Sequence, residues 1–397
     1  NNTNYFNNNG PFTYGAIFSS CGILPMKILL IGNLSDTIVL FREKLIRELI
    51  KKNITVYTLT MDSNQENFNI IASYGAKPDS YSFSRSGTNP FSDIWNTYKL
   101  NKKIKKIKPD VVLSFFPKPV IYGSLAAKIA GVKKIFSLLE GLGFCYTNNS
   151  SPISLKRKVL KCLQTMLYRI SLPLCNKVFF LNKDDFNDLI IDNKITIKNY
   201  EIIGGIGVNL EEFSYKQPKI DKIHFGMVSR LLVEKGIREF VLAASQVKKK
   251  FPEVEFSIAG AIDDNPGGIT EDEIKKWESE GVVKFLGQVS NVKSYLSNIS
   301  VFVLPSYREG VPRSTQEAMA IGLPIITTNV PGCRDTIINM VNGIMIQPFD
   351  IQSLADAMVF FIQNPQSITI MGRESRIIAE KKFNEIEAAN KLLKLII

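Results

Sequence analysis

The sequence predicts an α/β protein made of two doubly wound domains in series. Three features predict it. Short apolar runs alternate with stretches of helical spacing, the pattern of right-handed βαβ units around a mostly parallel sheet. At 204–220 the chain turns glycine-rich and then polar, "GGIGVNLEEFSYKQPKI". The alternation then starts again at "IHFGMVSRL" (223–231). A length of 397 residues is enough for two or three domains with sizeable cores.

The elements follow in order. "KILLIG" (27–32) is a buried strand ended by glycine. "VLFREKLIRELIKKN" (39–53) is a helix with Phe41, Leu45, Leu49 and Ile50 on one side. "ITVYTLT" (54–60) is the second strand, and "SDIWNTYKLNKKIKKIK" (92–108) is a basic amphipathic helix stopped by Pro109. "DVVLSF" (110–115), "KKIFSLLE" (133–140) and "KVFFLN" (177–182) are strands, and "IYGSLAAKIAG" (121–131) is a helix closed by Gly131. The second half holds the helix "GIREFVLAASQVKKKF" and the strands "EFSIAG", "VVKFLG", "VFVLPS" and "PIITTN". The boundaries drawn are 26–210 for the first domain, 211–220 for a hinge, 221–380 for the second domain and 381–397 for a C-terminal helix returning to the first. Residues 1–25 are left outside the fold, because "MKILLIGN" reads as a natural start at Met26. They carry no Lys, Arg, Asp or Glu, so they lack the basic opening of a secretory signal.

The net charge of +12 is confined to one half. Residues 1–217 hold 28 bases against 16 acids, whereas 218–397 hold 21 of each. An anionic surface or partner is therefore expected for the first half only. Cys21, Cys145, Cys162, Cys175 and Cys333 are scattered, with no metal-knuckle or CxxC spacing, and read as reduced thiols. No apolar run reaches the length of a membrane-spanning helix. The single histidine, His224, falls in a predicted strand, which argues against Ser–His and Cys–His chemistry. The loop "IGNLSD" (31–36) is not the GxGxxG of a dehydrogenase.

The densest constellation is "YREGVPRSTQEAMAIGLPIITTNVPGCRDTI" (307–337). Glu309 and Glu317 are eight apart, a spacing that no helix face requires. The strand "VFVLPS" leads into a loop, and Pro312 is suited to the first turn of the next helix. Glu309 then lies in the loop and Glu317 on the helix's second turn, on either side of a helix N-terminus that favours anions. Upstream, "FGMVSRLLVEKG" (225–236) places Arg230 and Lys235 between a strand's carboxyl end and a helix start, which suits a diphosphate. A ligand with hydroxyls, two phosphates and a ribose in a row satisfies both carboxylates and both cations. That ligand is a nucleotide sugar. In an open α/β pair it would sit in the cleft between domains.

"EGVPRSTQE", "SRLLVEKGIREFVLAA" and "GIGVNLEEF" together resemble the retaining GT-B glycosyltransferases of the large family 4 group. "VPGCRDTI" and "LFREKLI" are similar to the bacterial members that build O-antigen, capsule and lipid-linked oligosaccharides. The resemblance covers residues 26–397 and implies two Rossmann-like domains facing a central cleft. It implies a hexosyltransferase whose donor is a UDP-linked hexose or N-acetylhexosamine and whose acceptor is a glycan on polyprenyl diphosphate. Arg230 and Lys235 would bind the donor diphosphate, Glu309 the transferred sugar and Glu317 the ribose. Gly310, Val311, Pro312 and Ser314 would line the donor pocket, with Arg313 as an added cation. Many relatives carry a first-domain histidine where this chain has "LLEGLGF" (138–144), so Glu140 and Gly141 are candidates for the sugar or acceptor side. Gly32 and Asn33 are further candidates there. Arg42 either meets an acceptor phosphate or faces solvent.

No metal or cofactor is expected, since there is no DxD motif and Asp263–Asp264 in "GAIDDNPGG" reads as a polar turn. A nucleotide-sugar epimerase is the alternative within enzymes. A basic nucleic-acid-binding protein is the alternative outside them, but no aromatic stacking platform accompanies the lysines. The bases of "ISLKRKVLKCLQTMLYRISL" (153–172) interleave with apolar residues. This is either a helix lying in an anionic membrane interface or a core-packed helix with a solvated basic face. The first of these, with the lipid-linked acceptor, puts the protein on the inner face of the cytoplasmic membrane.

Overall fold

The central strands of both sheets are unbroken apolar runs because helices cover both faces of each sheet. Leu29, Leu30 and Ile31 in the first half and Val301, Phe302 and Val303 in the second are completely buried. The computed structural model describes residues 25–83, 90–147, 154–263 and 267–397. Residues 1–24 of the expected extension and Asp264 of the polar turn lie outside the described residues.

The first sheet is built from β1 (Lys27–Ile31), α1 (Ser35–Lys51), β2 (Thr55–Thr60), α2 (Gln65–Ser73), β3 (Lys77–Ser80), α3 (Pro90–Ile107), β4 (Val111–Phe115), α4 (Ser124–Ile129), β5 (Lys134–Leu139), α5 (Leu155–Ser171), β6 (Lys177–Phe180), α6 (Lys183–Phe186) and β7 (Tyr200–Ile202). The second contains β8 (His224–Val228), α7 (Ile237–Lys248), β9 (Glu255–Ala259), α8 (Glu271–Ser279), β10 (Lys284–Phe285), α9 (Val292–Leu296), β11 (Val301–Leu304), α10 (Arg313–Ile321), β12 (Ile325–Thr328) and β13 (Gly343–Ile346). Three helices follow, α11 (Ile351–Gln363), α12 (Pro365–Lys382) and α13 (Glu385–Ile396).

The strand orders are β3-β2-β1-β4-β5-β6-β7 and β10-β9-β8-β11-β12-β13. Every pairing is parallel. Each sheet reverses its winding once, between β1 and β4 and between β8 and β11. Loops at the carboxyl ends of those strands diverge there and open a crevice.

The chain crosses between domains twice, and the two crossings run side by side. Val208 N donates to Phe383 O at 2.8 Å and Glu385 N to Val208 O at 3.2 Å. The crossing thus precedes the 211–220 stretch expected as a hinge. Arg376 of α12 explains this: its Nη1 donates to Phe213 O at 2.8 Å and to Ala320 O at 2.7 Å, tying that stretch to the second domain. α13 packs against α1 of the first domain.

α3, α4 and α5 cover one face of the first sheet, sharing a core that includes Leu100, Ile104, Ala126 and Tyr168. The outer side of α5 exposes an apolar stripe, Leu155, Val159, Leu163, Met166 and Ile170, beside exposed Lys156 and Lys158. Arg157 departs from the solvated basic face expected of this segment, for it is turned inward and buried. α3 exposes Trp95 and Tyr98, stacked on each other, with Lys102 Nζ 4.7 Å from the Tyr98 ring centre. Among the described residues no helix is long and apolar enough to cross a membrane.

Candidate active site

The switch point of the second sheet gathers the two carboxylates and two cations. β8 ends at Val228, and the next residues carry Arg230 and Lys235 into the start of α7. Gly236 sits there with φ +74°, and a Cβ on it would collide with the carbonyl of Pro305 at the end of β11. The two loops are laced together, with Tyr307 N donating to Glu234 O at 2.9 Å and Ser306 Oγ to the same carbonyl at 3.0 Å. Lys235 Nζ therefore reaches Glu309, 2.5 Å from Oε1, and Ser306 Oγ donates to that oxygen at 2.7 Å. Arg230 lies nearer the rim, half exposed, with Nη1 2.7 Å from Asp263 Oδ2. The polar turn at Asp263 thus supplies a partner for Arg230.

α10 begins at Arg313 with Pro312 as its N-cap. Arg313 Nε donates to Glu317 Oε1 at 3.0 Å, and its guanidinium lies 5.2 Å from the ring centre of Phe41 on α1 of the first domain. Burial pushes the Glu317 carboxyl above its ordinary range, and Arg313 offsets part of that rise.

A cleft of about 1600 Å³ separates the domains. Arg230, Lys235, Glu309, Pro312, Arg313, Ser314 and Glu317 line it from the second domain. Phe41 and Arg42 of α1 and Glu385 of α13 line it from the other side. Gly310 and Val311 do not line it; Val311 is buried and Gly310 partly so. A Cβ on Gly310 would sit 2.5 Å from Glu140 O, so the loop bearing Glu309 touches the β5 loop of the first domain through glycine. Gly141 (φ +114°) faces Gly310 N from the other side of that contact.

The acceptor-side candidates fare differently. Arg42 lines the cleft but does not face solvent, and its Nε has no hydrogen-bond partner among the described residues. It is buried, ion-paired with Glu140, and its guanidinium is 4.0 Å from the Phe115 ring centre. Glu140 is equally buried in that pair. Gly32 and Asn33 do not line the cleft. Asn33 Oδ1 accepts from Leu34 N at 2.8 Å and Gly32 O accepts from Tyr81 Oη at 2.8 Å, so this turn serves the start of α1.

Residues 210–378 match the family model "Glycosyl transferases group 1", and residues 27–177 match "Glycosyl transferase 4-like". The chain belongs to the GT-B glycosyltransferases. The N,N'-diacetylbacillosaminyl-diphospho-undecaprenol alpha-1,3-N-acetylgalactosaminyltransferase of Campylobacter jejuni is 28% identical over 356 residues, 85% of this chain and 90% of that protein. The UDP-Gal:alpha-D-GlcNAc-diphosphoundecaprenol alpha-1,3-galactosyltransferase of Escherichia coli is 27% identical over 325 residues, 77% of this chain and 79% of that protein. The fold matches the crystal structure of Anabaena Alr3699/HepE in complex with UDP, with a TM-score of 0.72 at 16% identity over 93% of this chain and 99% of that one.

In this glycosyltransferase the domains are clasped beside Glu309 by residues the motif reading passed over. Arg308 belongs to the second domain, yet its described side-chain partners are all in the first. It pairs with Asp185, with Asp188 Oδ2 at 2.7 Å, and donates to Tyr146 O at 3.2 Å. Asn182 Nδ2 donates to Gly310 O at 2.6 Å. Gln316, fully buried, donates to Val311 O at 3.0 Å and accepts from Gly207 N at 3.1 Å, linking the loop bearing Glu309 to the interdomain crossing. The only local signal for Arg308 was its position next to Glu309. Its partners lie more than a hundred residues away, where pattern reading does not reach.

Proposed function

We propose that this glycosyltransferase moves a hexose or N-acetylhexosamine from a UDP-sugar to a hydroxyl of a glycan carried on polyprenyl diphosphate, with retention at the anomeric carbon, in bacterial surface polysaccharide assembly. The observation that carries this reading is the pair of cation-held carboxylates, Lys235–Glu309 and Arg313–Glu317, set about the α10 N-terminus in the interdomain cleft. The relatives from C. jejuni and E. coli support it, being named for sugars on a diphospho-undecaprenol carrier, and the second also for UDP-Gal.

Glu317 holds the ribose hydroxyls, and the α10 N-terminus with Lys235 and Arg230 holds the diphosphate. Glu309 holds the hydroxyls of the transferred sugar. The bond from the anomeric carbon to the β-phosphate oxygen breaks, and the acceptor oxygen bonds to that carbon on the same face. Its proton passes to the departing phosphate oxygen. Lys235 and Arg230 stabilise the charge growing on the leaving UDP, so no metal is required. The apolar stripe and lysines of α5, with Trp95 and Tyr98 of α3, rest on an anionic membrane surface and bring the cleft to its lipid-borne acceptor.

The test offers UDP-, GDP- and dTDP-sugars in the presence of EDTA, with a sugar linked to a short prenyl diphosphate as acceptor. Transfer from a UDP-sugar with the donor's anomeric configuration, read by NMR, is the expected result. Transfer only on restoring a divalent metal overturns the metal-independent step. Conversion of the nucleotide sugar without acceptor indicates an epimerase instead.

A further inference from the structure

The N-terminal turns of α5 hold a cation that the first domain's packing does not explain. Arg157 is only 5% exposed, yet its Nε and Nη2 have no hydrogen-bond partner among the described residues. Its guanidinium lies 4.6 Å from the ring centre of Phe144, which supplies a face and no acceptor. A buried guanidinium with orphaned donors lowers stability, and an apolar side chain of similar volume would serve packing better. The orphaned pair is informative. Nε–H and Nη2–H share one edge of the guanidinium, and that edge matches two oxygens of one phosphoryl group.

A second cation stands beside it. Lys161 is one turn further along α5, with Nζ 4.6 Å from the ring centre of Tyr146. Burial pushes up the thiol of Cys145, the residue between Phe144 and Tyr146 in the chain, and both charges offset part of that rise. No Asp or Glu occurs from 141 to 183, and the carboxylates near Tyr146, Asp185 and Asp188, are already paired with Arg308. Glu234, across the domain seam and next to Lys235, has its carboxyl pushed up by burial, and Arg157 is among the cations that offset that rise. Phe144 and Tyr146 belong to the loop that begins at Glu140, whose carbonyl abuts Gly310. Arg157 and Lys161 do not line the large cleft that holds Arg230. They form a separate positive site, on the first-domain side of the seam.

We propose that buried Arg157 and exposed Lys161 bind the diphosphate of the acceptor on the side of α5 that faces the Phe144–Tyr146 loop. This rests on the lipid-diphosphate reading above and names the residues that would recognise it. The outer face of the same helix carries the exposed apolar stripe. One helix would then meet the lipid with one side and the phosphates attached to it with the other. A sugar on that diphosphate would point along the 140–146 loop toward Glu309.

The experiment measures binding of geranyl diphosphate by calorimetry with UDP saturating, so that the donor site is filled. Binding by the wild type is expected to weaken at least tenfold in Arg157→Gln and Arg157→Met, and less in Arg157→Lys. Inorganic pyrophosphate is the second ligand. If it binds as tightly as the prenyl diphosphate, the site is a general anion site and the acceptor assignment falls. The melting temperature of Arg157→Met should equal or exceed that of the wild type; a marked drop means the residue is structural. No prenyl diphosphate binding by the wild type overturns the site whether or not transfer occurs. A third arm compares transfer to a sugar on prenyl diphosphate and to the neutral alkyl glycoside of that sugar. Arg157→Gln should raise KM tenfold for the first and under twofold for the second, leaving UDP affinity unchanged. Equal losses on both acceptors count against the proposal. A wild type that binds the diphosphate but transfers to neither acceptor contradicts the proposed function and not this site.

Discussion

Lys235 and Ser306 both bind the same oxygen of Glu309, at 2.5 Å and 2.7 Å, and leave Oε2 without a hydrogen bond among the described residues. The carboxylate is thus fixed in direction by one oxygen while the other is available to a ligand. Glu309→Gln keeps the shape and loses the charge. Turnover should fall by about 10²-fold or more, as when a group aimed at the reacting centre is removed. Stability should fall by only about 1 kcal/mol, because Lys235 can turn into the open cleft. Near-normal turnover in a steady-state transfer assay would remove Glu309 from the reaction.

Lys235 and Arg230 are not equivalent. Lys235 is only 15% exposed, whereas Arg230 is 50% exposed and already held by Asp263. A charge in the less solvated position does more for a growing negative charge. Lys235→Ala should therefore lower kcat by roughly 10²-fold, and Arg230→Ala should act more on donor affinity, weakening UDP by about tenfold. If either variant changed acceptor KM alone, its place on the diphosphate would be wrong.

Glu317 offers a sharper comparison, because ribose and deoxyribose differ by one hydroxyl. Charge-assisted hydrogen bonds contribute roughly 1.5–3 kcal/mol. Wild-type protein should prefer UDP to 2'-deoxy-UDP in calorimetry, and Glu317→Ala should lose most of that preference together with affinity for UDP. A variant that still discriminates between the two would assign the ribose to another residue.

Much of the placement of this candidate site was legible in the sequence because its residues lie within one loop and one helix. Glu309, Pro312 and Glu317 needed only the order strand, loop, helix, and Gly236 marked the helix start upstream. The edge strands were harder. "KPDS" of β3 is polar, and "YEI" of β7 is three residues long, so neither shows the apolar run of a central strand. The first-domain side of the cleft was read least well. Arg42 and Glu140 are 98 residues apart and neutralise each other, a pairing that no periodicity reveals. Arg157 lay in a run of bases that looked uniformly solvated, and only the packing of α5 separates the inward residue from its neighbours.

α5 makes the membrane reading testable residue by residue. Lys156 and Lys158 are exposed beside Leu155, which is 77% exposed. Basic residues near an anionic surface contribute about 1 kcal/mol each, and salt screens them. The protein should sediment with anionic liposomes at low salt and not with zwitterionic ones. Reversing Lys156 and Lys158 to glutamate should reduce binding, and Leu155→Ser with Met166→Ser should reduce what remains at high salt. UDP affinity should not change in either variant. Wild-type protein that ignores anionic liposomes at low salt would point to a soluble acceptor.

The clasp between Arg308 and Asp185 adds a pH dependence. Burial pushes the Asp185 carboxyl up from 3.8 to about 6, although Arg308 pulls the other way. Two consequences of opposite sign follow. The folded state holds this proton more tightly than the unfolded chain does, so this group stabilises the fold as pH falls from about 6 to 4. Protonation also removes one negative charge from the Arg308 clasp, which borders the loop bearing Glu309 and Gly310. Transfer should therefore decline on the acid side with a midpoint near 6, while the thermal stability due to Asp185 rises over the same range. Asp185→Asn keeps the size and an acceptor for Arg308, loses the acceptor for Asn182 Nδ2, and cannot titrate. It should flatten the acid limb of kcat/KM and remove the gain in melting temperature relative to wild type between pH 7 and 5. If the limb persists unchanged in Asp185→Asn, the titrating group lies elsewhere and the clasp does not govern the loop bearing Glu309.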